Sequence, residues 1–222
     1  MAAGLAHQLR TPLSAAVLYV GLLKRPDLNN SDRIPLAEKA LGRLRHLETL
    51  VRDMLLLVRA DHDGGEPISV TDLLHGLEEF ARPHVPAPRI RFAISDESAN
   101  VMLRAQRDVL ISALQNLISN GVQSIEHEGE VTVRAHATEA GWVAIDVVDS
   151  GCGMSPAIQA RLGELFFTTR DGGNGLGVAV VEAIAKAHHG TLTFSSRPGL
   201  GSTFTLRLPT FNHAAAGQSR SI

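Results

Sequence analysis

VAIDVVDSGCGM, Val143 to Met154, begins as an apolar run, ends that run on Asp149, and then sets Gly151 and Gly153 around a lone cysteine, Cys152. The β-branched density of its first half reads as a buried strand. A carboxylate at the end of such a strand is costly to bury unless hydrogen-bond donors meet it. A nucleobase amino group is one such donor, and glycines let a planar ring approach the backbone. Taken alone, the string D-S-G-x-G is also a common turn signal. Its neighbours decide between the two readings.

Downstream, FFTTRDGGNGLGVAVVEAI runs from Phe166 to Ile184. Gly172, Gly173, Gly175 and Gly177 allow a mobile loop whose amides can face a ligand. The helix that starts near Gly177 offers N–H groups and a positive dipole end, which suit a phosphate. No Gly-Lys-Ser/Thr follows, so this is neither a P-loop nor a dinucleotide fingerprint. A flexible surface loop is the plain alternative. Upstream, LQNLISNGVQS (Leu114–Ser124) puts Asn116 and Asn120 on one helical face, four residues apart. Two amides oriented together suit a hard cation that keeps most of its water, as Mg²⁺ does when it also holds phosphates. Two exposed or capping asparagines are the plain alternative there.

Around these stretches, short β-branched runs (RIRFAI, EVTVRAHA, VAIDVVD, TLTFSS, STFTLRLP) alternate with helical patterns at Val70–Ala81, Asp108–Ile125 and Val178–His188. That mixture predicts an α/β sandwich from about residue 64 to 210. Residues 1–63 show helical periodicity and little else. Leu5, Leu9, Leu13, Ala16, Val20 and Leu23 recur at three- and four-residue steps, and a second helix starts at a Ser31 or Asp32 cap. Two helices with apolar faces this wide cannot hide them alone. The pattern predicts an antiparallel hairpin that pairs with a second copy into a dimeric four-helix bundle. The tail from 211 to 222 is small and polar, and is expected to be disordered.

Composition narrows the setting. The 222 residues are 44% hydrophobic and 20% charged with a net charge of −2, which gives no electrostatic reason to expect nucleic acid. The single cysteine forbids an internal disulfide, and a reducing, cytoplasmic setting is expected. No apolar run reaches the roughly 18 residues of a membrane span, so no direct membrane insertion is expected. Cys152 and the scattered histidines carry no metal-ligand spacing. His188 and His189 stand at a helix end, where a cation complements the dipole.

The three stretches follow one another in a fixed order: the Asn helix, Asp149 with its glycines, the glycine loop, then GLGSTF at Gly199–Phe204. This order resembles the ATP-binding domain of sensor histidine kinases and the wider GHKL ATPases. DSGCGM is similar to the first glycine box, FFTTRDGGNGLG to the F-box and second glycine box, and HHGTLTFSSRPGLGSTFTLRLP to the closing hairpin. AHQLRTPL, Ala6–Leu13, resembles the phosphoacceptor box of histidine kinases. The resemblance implies an α+β chain: a dimerisation and phosphotransfer hairpin (1–63), then a GHKL (Bergerat) sandwich with a mixed sheet and three helices (64–210). The first helix further resembles the flagellar sensor kinases of the FleS/FlrB type, which work with NtrC-like regulators.

Carried over by position, the resemblance makes His7 the nucleophile, with Gln8 and Thr11 beside it in the catalytic box. Asn120 would hold Mg²⁺, with Asn116 assisting. Asp149 would accept from the adenine amino group, with Gly151 and Gly153 shaping that pocket. Thr168, Thr169 and Arg170 would approach the phosphates, Gly173, Gly175, Leu176 and Gly177 would form the lid, and Thr203 would lie near the adenine edge. Pro12 lacks the N–H that would bond the Gln8 carbonyl, so a hinge beside His7 is expected. ATP, Mg²⁺, a second copy of the chain and the receiver domain of a response regulator are the implied ligands and partners. Only six residues precede His7, so sensing is expected from elsewhere.

Gln8 is the main departure, because the family usually has Glu or Asp there to accept the imidazole proton, and an amide is no base at neutral pH. Thr11 matches the position that orients water when such enzymes dephosphorylate their regulator. Two rival readings follow: a nucleotide-binding docking module with weak chemistry, and a GHKL ATPase of the chaperone or DNA-repair kind. The phosphoacceptor box and the near-neutral charge speak against the second.

Overall fold

The computed structural model describes residues 2–59, 65–86, 88–99, 101–139, 141–170 and 173–211. The expected disorder of the tail concerns 211–222, of which 212–222 lie outside the described residues, as does Gly172. The chain forms two compact units, one of Met1–Leu55 with Arg170–Asn174, the other of Leu56–Thr169 with Gly175–Ile222.

The first unit carries helix α1 (Ala2–Leu23) and most of helix α2 (Asn30–Arg59). Helix α1 continues through Pro12, with no break at the expected hinge. Pro12, Ala16, Ala40 and Leu50 are buried, whereas Val17, Leu18, Ile34 and Leu41 are 64%, 61%, 69% and 51% exposed. Apolar side chains this bare on two helices are what a bundle partner would cover. In the connecting turn Arg25 donates twice to Asp27, at 3.1 and 2.7 Å, and this holds the Asp27 carboxyl below its ordinary value.

In the second unit a five-stranded sheet has the order β2-β4-β5-β7-β6. Its strands are β2 (Ile90–Glu97), β4 (Gly129–Ala137), β5 (Trp142–Asp149), β6 (Thr191–Ser196) and β7 (Ser202–Pro209). Strand β2 runs parallel to β4 and the other neighbours pair antiparallel, so the sheet is mixed. Alternation assigns the two faces. Val131, Val133 and Ala135 of β4, Val143, Ile145 and Val147 of β5, and Phe204, Leu206 and Leu208 of β7 are buried on one of them. Helices α3 (Val70–Ala81), α4 (Arg107–Ser124) and α6 (Gly177–Ala187) contribute Leu73, Leu77, Leu110, Leu114, Leu117, Val180 and Ile184 to the same core. The expected sandwich of a mixed sheet and three helices is what the chain forms.

The other sheet face is polar. Asp146 there accepts from Thr205 Oγ1 at 2.6 Å and from Arg134 at 3.4 Å, each its partner in register. Two strands escaped the sequence pattern: β1 (Glu66–Ser69) and β3 (Met102–Ala105) form a separate antiparallel pair. Each has four residues, and Pro67 argues against a strand. Ser69 ends β1 and caps α3, accepting the Asp72 N–H at 2.9 Å. A short helix α5 (Pro156–Gln159) follows the glycine box.

His188 stands at the C-terminal end of α6 and is held at both ring nitrogens. Its Nε2 accepts the Gln106 N–H at 3.3 Å while Nδ1 lies 2.8 Å from the Ile184 carbonyl. These contacts tie the C-terminal end of α6 to the residue that precedes α4.

Candidate functional site

The site is built along one stripe of α4 and the ends of β5 and β7. Asn116, Asn120 and Ser124 recur at four-residue steps on that helix and are half-buried. Gly121 lets the helix come close to β5, since a Cβ there would stand 3.2 Å from the Asp149 Cβ. Asp149 is 7% exposed and lies on the helix side of the sheet. Its Oδ1 accepts from Ser124 Oγ and from the Gly151 N–H, both at 2.9 Å. Among the described residues both of its hydrogen bonds end on Oδ1, which leaves Oδ2 to accept from an amino group placed against it. The requirement that a buried carboxylate be met by donors is thus half fulfilled by the protein itself.

The glycine loop after Asp149 is clamped on both sides. The Cys152 N–H donates to the Ser124 carbonyl at 3.0 Å, and the Cys152 carbonyl accepts from the Gly199 N–H at 2.8 Å. Gly153 has φ +63°, and a Cβ on it would fall 2.0 Å from the Arg197 carbonyl oxygen. Only glycine meets both conditions.

One to two turns back along α4, the amide nitrogen of Asn116 is buried with no hydrogen-bond partner among the described residues. Gly177, the first residue of α6, faces both asparagines: a Cβ there would lie 3.7 Å from Asn120 Nδ2 and 3.9 Å from Asn116 Cγ. Leu176, the residue before the helix, provides no side-chain cap. An orphaned buried amide, two amide side chains and an uncapped helix N-terminus therefore converge on one place. That set suits a cation-bearing phosphate group. Among the described residues no three His, Cys, Asp or Glu side chains cluster as metal ligands. A metal here would have to rely on amide oxygens and on the phosphates.

The loop between the F-box and α6 has a closed neck. The Phe166 N–H donates to the Gly175 carbonyl at 3.0 Å. Phe166 has φ +68° and Gly175 φ +64°. The Arg161 guanidinium stacks 3.9 Å over the Phe167 ring.

The remaining expected site residues divide. Thr168 and Thr169 are exposed next to this neck. Arg170 and Gly173 lie in the segment 170–174, which belongs to the first compact unit. In that unit Asn174 Nδ2 donates to the buried Asp53 at 2.7 Å. Leu176 is fully buried, so its side chain belongs to the core. Thr203 is misplaced by one residue. It pairs with Val148 on the polar sheet face, whereas Ser202 pairs with Asp149 and is 7% exposed. His7 lies on α1 and its side chain is outside the description, with Gln8 half-buried and Thr11 exposed.

Three residues near the pocket carry no motif signature: Ser124, Gln159 and Ser196. The step of four from Asn116 through Asn120 was the available signal for Ser124. Nothing local marks the other two.

Residues 105–212 match the family described as histidine kinase-, DNA gyrase B- and HSP90-like ATPases. Residues 1–63 match the His Kinase A (phospho-acceptor) domain. The chain is 41% identical over 209 residues to the sensor protein kinase FleS of Pseudomonas aeruginosa, covering 94% of this chain and 51% of that protein. It thus spans about half the length of that curated relative. Among solved structures, full-length ShkA in complex with AMPPNP is 30% identical with a TM-score of 0.69, covering 94% of this chain and 45% of that one. Histidine kinase ThkA, solved in complex with the response regulator protein TrrA, is 19% identical with a TM-score of 0.72, over 95% of this chain and 61% of that one. The latter likeness concerns the fold alone. No described helix is long and apolar enough to cross a membrane.

Proposed function

We propose, from the premise that this chain belongs to the sensor histidine kinase family, that it moves the terminal phosphoryl group of ATP onto His7 and from there to an aspartate of a response regulator. One observation supports this reading above the others. A single helix stripe joins the half-satisfied carboxylate Asp149 to the orphaned amide of Asn116. The two ends want opposite things, an amino group and an anion with its metal, and a nucleoside triphosphate carries both.

In this reading Asp149 and the 151–153 loop hold the base. Asn120, with Asn116, holds Mg²⁺, whose charge offsets that of the phosphates. The N-terminus of α6, which has no side-chain cap from Leu176, receives the phosphate oxygens. The P–O bond to the leaving nucleoside diphosphate breaks as a P–N bond forms at the imidazole of His7. Catalysis is then mainly positioning and charge neutralisation. The domain division follows the same reading: 1–63 for dimerisation and phosphotransfer, 64–210 for nucleotide.

The exposed apolar residues of α1 and α2 support pairing with a second copy. Sedimentation is expected to give a species of about twice the 23.7 kDa chain mass, and Leu18→Glu together with Leu41→Glu is expected to give the single-chain mass. A wild-type chain that sediments as a monomer at tens of micromolar would remove the bundle from the proposal.

Gln8 supports a modified version of the same function. With an amide where the family usually has a carboxylate, the imidazole proton lacks its general base, a contribution of roughly 10²-fold or more. Autophosphorylation is then slow, and dephosphorylation of the regulator, with water oriented by Thr11, takes a larger share. Labelling with γ-phosphate ATP is expected to run about ten times faster or more in Gln8→Glu than in the wild type. Equal rates would remove the base argument. Absence of label from both would favour the docking-module reading. The similarity to FleS supports an NtrC-like regulator of flagellar genes as the acceptor.

A further inference from the structure

The loop 150–154 that would border the base is attached on its outer side through two side chains that belong to no nucleotide-binding motif. Ser196, the last residue of β6, accepts the Met154 N–H on its hydroxyl oxygen at 2.8 Å. The same hydroxyl donates to the Gly201 carbonyl at 3.1 Å and lies 3.0 Å from Ser202 Oγ, whose own proton can be given to it. Gln159, the last residue of α5, spends its amide nitrogen twice, on the Met154 carbonyl at 2.8 Å and on the Ser196 carbonyl at 3.1 Å. Both side chains are half-buried and uncharged.

These bonds form one continuous path. Ser202 stands opposite Asp149 in the β5–β7 register. From Ser202 the path runs through the Ser196 hydroxyl to Met154, and from Met154 through the Gln159 amide back to the Ser196 backbone. The strand that pairs with that of Asp149 and the loop that follows Asp149 are therefore tied to the same hydroxyl. A hydrogen bond discriminates between donors and acceptors only when its geometry is held. Here the holding is done by two neutral side chains outside the pocket.

We propose that Ser196 and Gln159 are positioning residues for base selection: they hold the 150–154 loop so that Asp149 accepts an amino group at position 6 of the purine and rejects a carbonyl there. The proposal rests on the nucleotide reading of the site. Neither residue is assigned any contact with the reacting atoms.

The test is calorimetric titration of the full chain with ATP and with ITP, which carries a carbonyl where ATP carries the amino group, in the presence of Mg²⁺. Wild type is expected to prefer ATP by about tenfold or more. In Ser196→Ala and in Gln159→Met the preference is expected to shrink by about three- to tenfold, with thermal unfolding still cooperative, and Ser196→Thr is expected to restore it. Tripolyphosphate alone, which reports only the phosphate end, is expected to bind all four proteins equally. Variants that lose affinity for both nucleotides in the same proportion, or keep the wild-type ratio, would overturn the proposal and leave the path a purely structural one. Should one alanine or methionine variant fail to fold, the other together with Ser196→Thr still decides. Failure of the wild type to bind either nucleotide would overturn the site reading itself, a result distinct from a constant ratio.

Discussion

His7→Gln is expected to take no acid-labile label from γ-labelled ATP, a loss of more than about 10³-fold, while binding the nucleotide as tightly as the wild type. Glutamine approximates the size of the imidazole but offers no nucleophilic nitrogen, so the P–N bond has nothing to form on. Fold and binding are expected to survive for a structural reason. His7 belongs to α1, in a compact unit separate from Asp149, Asn116, Asn120 and Gly177. Filter assays after acid and after alkali identify the bond, since a phosphohistidine is lost in acid and kept in alkali. A chase with a receiver domain is expected to move the label from the wild type and to find none in the variant. Label that persists in His7→Gln would send the search to another acceptor. Loss of nucleotide binding with the label would mean that the substitution had damaged more than the nucleophile.

Pro12 bears on the same prediction. As an interior residue of α1 it gives no N–H to the Gln8 carbonyl, yet the helix is continuous across it. The sequence suggests a hinge at this point, and the structure has a helix with one bond missing close to His7. Both descriptions leave the turn bearing His7 less firmly tied than the rest of the helix, which would suit the two-partner role proposed for His7.

Most of the second unit is legible in the sequence because its strands alternate and its helices keep a 3.6-residue period. TLTFSS and STFTLRLP coincide with β6 and β7 residue for residue. What is not legible has particular causes. Strands β1 and β3 are too short to show a period, and Pro67 conceals the first. Thr203 is misassigned because a one-residue displacement along a strand transfers a side chain to the opposite sheet face, and only the pairing of Asp149 with Ser202 settles the register. Ser196 lies 42 residues from the Met154 it bonds and 37 from Gln159, and long-range bonds of this kind leave no local pattern. The His188 ring meets the N–H of Gln106, 82 residues away.

Asp149→Asn is expected to weaken ATP by about 10²-fold and to do so with little cost to the fold. The substitution keeps Oδ1, which continues to accept from Ser124 Oγ and from the Gly151 N–H. It replaces Oδ2 with an NH₂ group and removes a charge from a site that is 7% exposed, so burial becomes easier, not harder. Thermal stability is expected to stay level or rise. The nucleotide, in contrast, loses a hydrogen bond to a charged acceptor, worth roughly 1.5–3 kcal/mol, and meets a donor facing its own donor. The loss should fall on kcat/KM more than on kcat, because saturating ATP still delivers its phosphate to an unchanged His7. The opposite sign is expected with ITP: the new NH₂ group can donate to the purine carbonyl, so its affinity should hold or improve. A variant in which ATP and ITP weaken together would indicate a collapsed pocket and would withdraw Asp149 from base reading. Opposite shifts of the two nucleotides can arise only from a reversal of hydrogen-bond polarity at this one side chain.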